Sequence, residues 1–305
     1  MSVDILMATF NGGKYLRNQL LSLFQQTYSD WTLYIRDDGS TDNTVDIIDE
    51  FVSLDSRIKK VANSEKRLGP ARNFLKLLES STSRYAVFSD QDDIWFEKKL
   101  EILVTFAEKK FDESMPCLVY ADGHAYSDSE GVIVSQSVSH LHANNLREFL
   151  FFNSGYQGSS MLFNQCLVNM AVSYKAPFYM HDDIVSLFAH MFGKVFFVPK
   201  PLMLYRQHAN NVTGSTSKSL IDVVLHFFRR NAFVLSRKHY EEKREFYNEF
   251  KEKMSDCDRS LYEQYLIYPE VSLFKRMGIV LIHGFSIGGY KLPLIVKTLL
   301  RRPIE

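Results

Sequence analysis

The spacing of apolar residues changes repeatedly along the first ninety positions. Val3 to Thr9 is a short apolar run of strand length, and it ends at Asn11-Gly12-Gly13, a loop signal. Between Tyr15 and Gln26, Leu16, Leu20, Leu21, Leu23 and Phe24 recur at helical spacing. Trp31 to Arg36 returns to strand and runs into the turn Asp37-Asp38-Gly39-Ser40. Ser40 or Thr41 is then placed to cap a helix carrying Val45, Ile47, Ile48 and Phe51. Arg57 to Ala62 reads as a weaker strand, and Gly69-Pro70 opens a helix with Phe74, Leu75, Leu77 and Leu78. Tyr85-Ala86-Val87-Phe88 is a buried strand. This alternation predicts an α/β fold, a mostly parallel sheet with helices on both faces. Downstream, Met161 to Phe163 and Lys194 to Pro199 read as strands, and Val185 to Phe192 as a helix.

From about Ser217 the pattern differs. Leu220 to Leu235, Tyr240 to Lys253, Val271 to Met277, Ile279 to Ile282 and Leu292 to Leu300 read as a helical region, with apolar faces edged by Arg and Lys. The expected division is therefore a catalytic domain over residues 1–215 and a C-terminal helical region over 216–305. Apolar faces bordered by cations suit an anionic membrane surface. The alternatives are an appendage packed on the catalytic domain and a homodimer interface.

Composition adds that 46% hydrophobic and 14% aromatic residues suffice for a large core, and 36 basic residues balance 36 acidic ones. That balance gives no reason to expect nucleic acid as a partner. Cys117, Cys166 and Cys257 are too few and too widely spaced for a metal site or a disulfide framework. With no leader-like segment read at the start and no apolar run of membrane-spanning length, the expectation is a cytoplasmic protein, peripheral at most on the inner face of the plasma membrane.

The candidate chemistry lies at strand ends. Ser89-Asp90-Gln91-Asp92-Asp93 follows the Tyr85 strand, and three crowded carboxylates repel unless a cation or proton sits among them. Hard oxygen ligands at the carboxyl end of a strand suit Mg²⁺ or Mn²⁺ carrying substrate phosphates. Asp37-Asp38-Gly39-Ser40 is either an ordinary Asp-Gly turn or a nucleotide contact; the second acidic strand end favours the contact. His181-Asp182-Asp183 precedes a helix, where one carboxylate serves as a cap and the other is free to act as a base. Tyr205-Arg206-Gln207-His208 follows the Lys194 strand and suits metal or phosphate contact.

These segments, in this order, resemble those of family 2 glycosyltransferases with the GT-A (Rossmann-like) fold, in a bacterial rhamnosyltransferase-like branch. The matching text is Met7-Ala8-Thr9-Phe10-Asn11-Gly12, Asp37-Asp38-Gly39-Ser40-Thr41-Asp42, Ser89 to Trp95, His181-Asp182, and Tyr205-Arg206-Gln207-His208 followed by Asn211-Val212. The resemblance implies that Asp38 recognises the nucleotide base and that Ala8, Thr9 and Phe10 line its pocket. It implies a donor site extended by Asp90, Gln91 and Arg72, a metal held by Asp92 and His208, and Asp182 as catalytic base. Asp183 stands where this branch often has an aromatic residue, so either carboxylate is a candidate for the chemistry. Asn153 to Met161 resembles the family's glycine-containing segment before the base, with Tyr156, Gln157 and Gly158, together with Arg206, as acceptor contacts. Small residues there let a sugar approach the backbone; the bland alternative is a loop before a strand.

The implied activity is inverting, metal-dependent transfer of a sugar, L-rhamnose from dTDP-L-rhamnose, from a nucleotide-diphosphate sugar donor. The implied acceptor is a growing cell-surface polysaccharide or lipid-linked glycan. A UDP-sugar donor is the first alternative, since uracil and thymine share a hydrogen-bonding edge. A nucleotidyltransferase is the second, and a non-catalytic glycan-binding protein is disfavoured by the intact acidic clusters.

Overall fold

The computed structural model describes residues 2–63, 67–139, 141–208 and 232–305. One nine-stranded sheet organises the chain, with β1 (Val3–Thr9), β2 (Trp31–Asp37), β3 (Ile58–Lys60) and β4 (Tyr85–Ser89) forming its parallel half. The other half contains β5 (Ile94–Trp95), β6 (Cys117–Ser127), β8 (Met161–Asn164) and β9 (Lys194–Gln207), with β7 (Val132–Ser135) paired to β6. The spatial order is β3-β2-β1-β4-β8-β6-β9-β5. The α/β expectation holds, and the sheet is mixed: β8 lies antiparallel to both β4 and β6, while β9 runs parallel to β6. β9 is longer than the predicted strand because it continues past Pro199 and Pro201, where the register with β6 shifts. A register irregularity is where a residue without an N–H is tolerated in a sheet.

The two-residue period of the strands divides the core. Ile5, Met7, Tyr85 and Val87 face helices α1 (Gly13–Phe24), α2 (Thr44–Leu54) and α4 (Lys99–Lys110). Leu6, Ala86 and Phe88 face α3 (Pro70–Leu78), α5 (Leu146–Leu150), α6 (Gln165–Ser173) and α7 (His181–Phe192). Helices Arg237–Phe250, Asp256–Ile267, Leu273–Ile282 and Lys291–Leu300 follow. Their Tyr240, Phe246, Tyr262, Val280 and Leu294 belong to the same buried cluster as α7. The packed-appendage alternative therefore holds for the inner faces of these helices. The boundary near residue 215, Asn211-Val212 and most of the Leu220–Leu235 stretch lie outside the described residues. Among the described residues no helix is long and apolar enough to cross a membrane.

Capping differs from the expectation at two helices. α2 begins after Asn43, and Asp42, rather than Ser40 or Thr41, accepts the Thr44 N–H at 3.1 Å. α7 has no side-chain cap of its own. Instead Glu242, on the first C-terminal helix, accepts N–H bonds from Tyr179 and Met180 just before it.

Candidate active site

Parallel β1, β2, β4 and β9 all end at one edge of the sheet, and antiparallel β8 starts there. That direction rule alone gathers the motifs, since ligands in open α/β sheets bind outside the carboxyl ends of strands.

At the ends of β1 and β2 the backbone is fixed by polar side chains. Thr9 Oγ1 donates to Asp37 Oδ1 at 2.9 Å, and the other Asp37 oxygen accepts N–H bonds from Gly39 and Ser40. Asn11 sits at φ 46°, a left-handed conformation that Asn tolerates, and its side chain accepts the Thr41 N–H at 2.8 Å. Asp38 is buried. It accepts the Leu68 and Gly69 N–H groups at 2.9 and 2.8 Å and pairs with buried Arg36 at 3.3 Å. Asp38 Oδ2 accepts one N–H there and has capacity for a second. Phe10 carries the Arg67 guanidinium 3.6 Å from its ring centroid. Ala8 and Thr9 line the same strand end, whereas Arg72 is exposed on α3.

Beyond β4 the four residues Asp90 to Asp93 divide their work. Gln91 clamps the Phe10 peptide, accepting its N–H at 2.9 Å and donating to its carbonyl at 3.0 Å. Asp92 meets His208 at 2.7 Å between Oδ2 and Nε2, and the imidazole stacks on Tyr15 at 4.7 Å. Asp93 is fully buried and accepts the Arg206 N–H, with its second oxygen unpartnered. Burial, then the charges of Asp93, Asp92 and Asp182, push the Asp90 carboxyl well above the ordinary range. Burial, then Asp92, raises Asp93 to about 7. Beneath them lies Lys99, fully buried, donating to the Ser159 carbonyl and seated 3.7 Å from the Trp95 ring centroid. Burial lowers its ammonium to about 7, opposed by Asp93 and Asp90.

Crowded carboxylates of this kind are relieved by a cation or by protons. A carboxylate and an imidazole in contact, with Asp90 beside them, form a donor set that fits a divalent ion completed by phosphate oxygens. Among the described residues no group of three His, Cys, Asp or Glu side chains forms a cage by itself.

Arg206 does not reach an acceptor. It is buried, donating from Nε to the Asp92 carbonyl at 2.8 Å and pairing with Asp128 at 2.6 Å. Lys14 and Tyr15 also bind Asp128, and the Lys14 hydrogen bond leads in lowering that carboxyl to about 2. Arg206 is thus a strut behind the Asp92 loop.

The segment before α7 also departs from the sequence expectation. Tyr156 is in the core, stacked on Tyr120 at 3.8 Å with its hydroxyl 2.9 Å from His190 Nε2. It is not available to a sugar. Gly155 and Gly158 are small because α7 starts against them. A Cβ on Gly155 would lie 2.8 Å from the Asp182 carbonyl, and one on Gly158 2.9 Å from His181 Nε2. Gln157 spans the gap to the donor side, donating to Asp90 at 3.4 Å.

The two carboxylates at the start of α7 are now distinguishable. Asp183 is buried and its Oδ2 lies 2.7 Å from His239 Nδ1 of the first C-terminal helix. Asp182 is only partly buried and accepts the Asp183 N–H at 3.1 Å. Burial and then Asp183 raise its carboxyl well above the ordinary range. His181 stacks on Phe74 at 4.0 Å, and burial holds it neutral down to about pH 3. Lys99, Asp128, His239 and Glu242 carried no signal in the sequence, because each reaches the site across a tertiary contact.

Comparison with known proteins places this geometry. The profile described as Glycosyl transferase family 2 matches residues 4–167, more than half of the chain. A dTDP-rhamnosyl transferase, RfbG of Shigella flexneri, is 30% identical over 225 residues, covering 68% of this chain and 74% of that protein. Among solved structures, S. aureus TarS in complex with UDP-GlcNAc superposes with a TM-score of 0.60 at 15% identity, covering 93% of this chain and 80% of that one. Mannosyltransferase PcManGT from Pyrobaculum calidifontis, in complex with GDP-Man and Mn²⁺, gives 0.56 at 11% identity, covering 98% and 84%. At such identities the structures speak for the fold alone, which is the GT-A arrangement expected. The profile match and the coverage of the rhamnosyl transferase together show that this chain belongs to glycosyl transferase family 2 and is a glycosyltransferase that uses a nucleotide-sugar donor.

Proposed function

We propose that the protein is an inverting, metal-dependent transferase that moves L-rhamnose from dTDP-L-rhamnose onto a cell-surface polysaccharide or lipid-linked glycan acceptor at the cytoplasmic face of the membrane. The observation that carries this reading is the meeting, at one sheet edge, of the Asp92–His208 pair with the Asp182 carboxylate, whose charge acts on Asp90. The rhamnosyl transferase similarity favours the sugar.

Phe10 offers its ring face to the base in place of the Arg67 guanidinium, and Asp38 accepts a base N–H while holding the Leu68–Gly69 backbone as a pocket wall. Ala8 and Thr9 line the pocket, Gln91 fixes its floor through the Phe10 peptide, and Asp90 faces the ribose and sugar. Arg72 is an outer contact to the phosphates. Asp92 and His208 would hold a divalent cation, Mg²⁺ or Mn²⁺, whose charge would stabilise the departing diphosphate. Asp182 takes the proton of the acceptor hydroxyl as its oxygen attacks the anomeric carbon from the face opposite the diphosphate. One C–O bond forms as the other breaks, so configuration inverts and no glycosyl-enzyme is needed. Gln157 and Gly158 border the acceptor, while Asp183, Arg206 and Tyr156 support the frame.

The test is a panel of nucleotide-sugars with Mg²⁺ or Mn²⁺, scored by nucleoside diphosphate release. Turnover is expected with dTDP-L-rhamnose and loss of it with chelator. Preference for a UDP-sugar replaces the donor, and pyrophosphate release from a nucleoside triphosphate replaces the reaction class with nucleotidyl transfer.

A further inference from the structure

The last two helices turn their apolar stripes outward. On Leu273–Ile282, Phe274, Gly278, Leu281 and Ile282 stand at i, i+4, i+7 and i+8 on one face, while Ile279 and Val280 point into the core. Phe274 is 88% exposed and Ile282 80%. On Lys291–Leu300 the outward apolar side chains are Leu292 and Leu299, with half-buried Val296 between them, while Leu294 and Thr298 are inward. The two helices pack on each other. A helix packed on a soluble core ordinarily shows its polar side to water. Here the inner stripes are already used in the core, and the outer ones are apolar too. Exposed patches of this kind mark interaction sites.

Charge identifies the occupant. Between Glu270 and Glu305 there is no Asp or Glu, and six cations stand there: Lys275, Arg276, Lys291, Lys297, Arg301 and Arg302. The rest of this neutral chain therefore carries the compensating acid. A second copy of the chain would bring the exposed Lys275, Lys291 and Arg302 against the same three, which opposes self-association. An anionic lipid surface complements the charge and accepts the apolar side chains.

We propose that the outward face of Leu273–Ile282 and Lys291–Leu300 docks on an anionic bilayer surface. Phe274, Ile282, Leu292 and Leu299 enter the interface, and the exposed Lys275, Lys291 and Arg302 meet lipid headgroups. The inference goes beyond sugar transfer and does not depend on the donor.

The experiment is co-sedimentation of the full chain with phosphatidylcholine vesicles, with and without phosphatidylglycerol, at low and high salt. Binding is expected only with phosphatidylglycerol and weakens as salt rises. Each cation near such a surface contributes about fivefold in partitioning, so Lys275→Gln with Lys291→Gln and Arg302→Gln should lose roughly a hundredfold. Phe274→Ser with Ile282→Ser should abolish binding even at low salt. Both variants keep the melting temperature and nucleoside diphosphate release of the parent, because all five side chains face solvent. No binding to anionic vesicles at low salt overturns the proposal. So does equal binding to neutral vesicles, or a concentration-dependent dimer that Phe274→Ser with Ile282→Ser dissociates. Failure of every nucleotide-sugar to turn over, with vesicle binding intact, strikes the transfer reading and leaves this one standing.

Discussion

The sharpest division of labour lies between Asp182 and Asp183, adjacent residues with opposite environments. Asp182→Asn keeps volume and one acceptor for the Asp183 N–H, now 3.1 Å away, but removes the base. Loss of a positioned general base costs about 10²–10⁴ in rate, equivalent to about 2.7–5.5 kcal/mol in the barrier. The proposed donor pocket at Phe10 and Asp38 is built by β1, β2 and the Leu68–Gly69 segment. Nucleoside diphosphate affinity should therefore be unchanged, and kcat should fall while donor KM stays. Asp183→Asn acts elsewhere. It removes the carboxylate charge that lies 2.7 Å from His239 Nδ1, which should lower thermal stability without touching the base. Its effect on turnover should be under tenfold. A pH signature separates the two further. Burial and then the Asp183 charge hold the Asp182 carboxyl high, and a base works only when deprotonated. Turnover therefore falls as pH drops through that raised value. Removing the Asp183 charge lowers it, so the acid limb of Asp183→Asn should move to lower pH. The assays are single-turnover transfer across pH, nucleotide titration and thermal unfolding. An active Asp182→Asn beside a dead Asp183→Asn would exchange the roles, and an acid limb moving to higher pH would refute the electrostatic argument.

Further outcomes follow from the same contacts. Asp92→Asn should abolish transfer and weaken metal-dependent nucleotide binding with the melting temperature near that of the parent; activity indifferent to chelator contradicts the metal assignment. Arg206→Gln loses the Asp128 pair and the strut on the Asp92 carbonyl, so metal-dependent nucleotide binding should weaken although no donor atom is contacted; acceptor KM rising alone would restore Arg206 to the acceptor. Lys99→Met leaves the buried Ser159 carbonyl without its donor, expected to cost about 1–3 kcal/mol in denaturant unfolding. Gly155→Ala forces α7 away from the segment before it, because 2.8 Å is shorter than a Cβ contact allows; turnover should fall with donor binding intact.

The chain's pattern alone was enough for much of this. The switch between two-residue and helical periods marked β1, α1, β2, α2, α3 and β4 with small shifts at their ends, because a parallel strand buried on both faces is apolar throughout and short. The strand-end carboxylates were legible for the same reason: charge beside an apolar run stands out, and strand direction brings such ends to one edge. What tertiary structure decided was which polar residue does what. Gln91 and Arg206 look like ligand contacts in sequence and are structural clamps, because their partners, the Phe10 peptide and Asp128, are remote in the chain. Tyr156 looks like a sugar platform and is core, because β6 brings Tyr120 against it. The environments of Asp182 and Asp183 are set apart by His239, and the start of their helix is held by Glu242, both of which arrive more than fifty residues later on a helix whose period gives no hint of what it faces. Local pattern records which side of an element is buried. Which group a side chain meets depends on long-range packing, and that is written only in three dimensions.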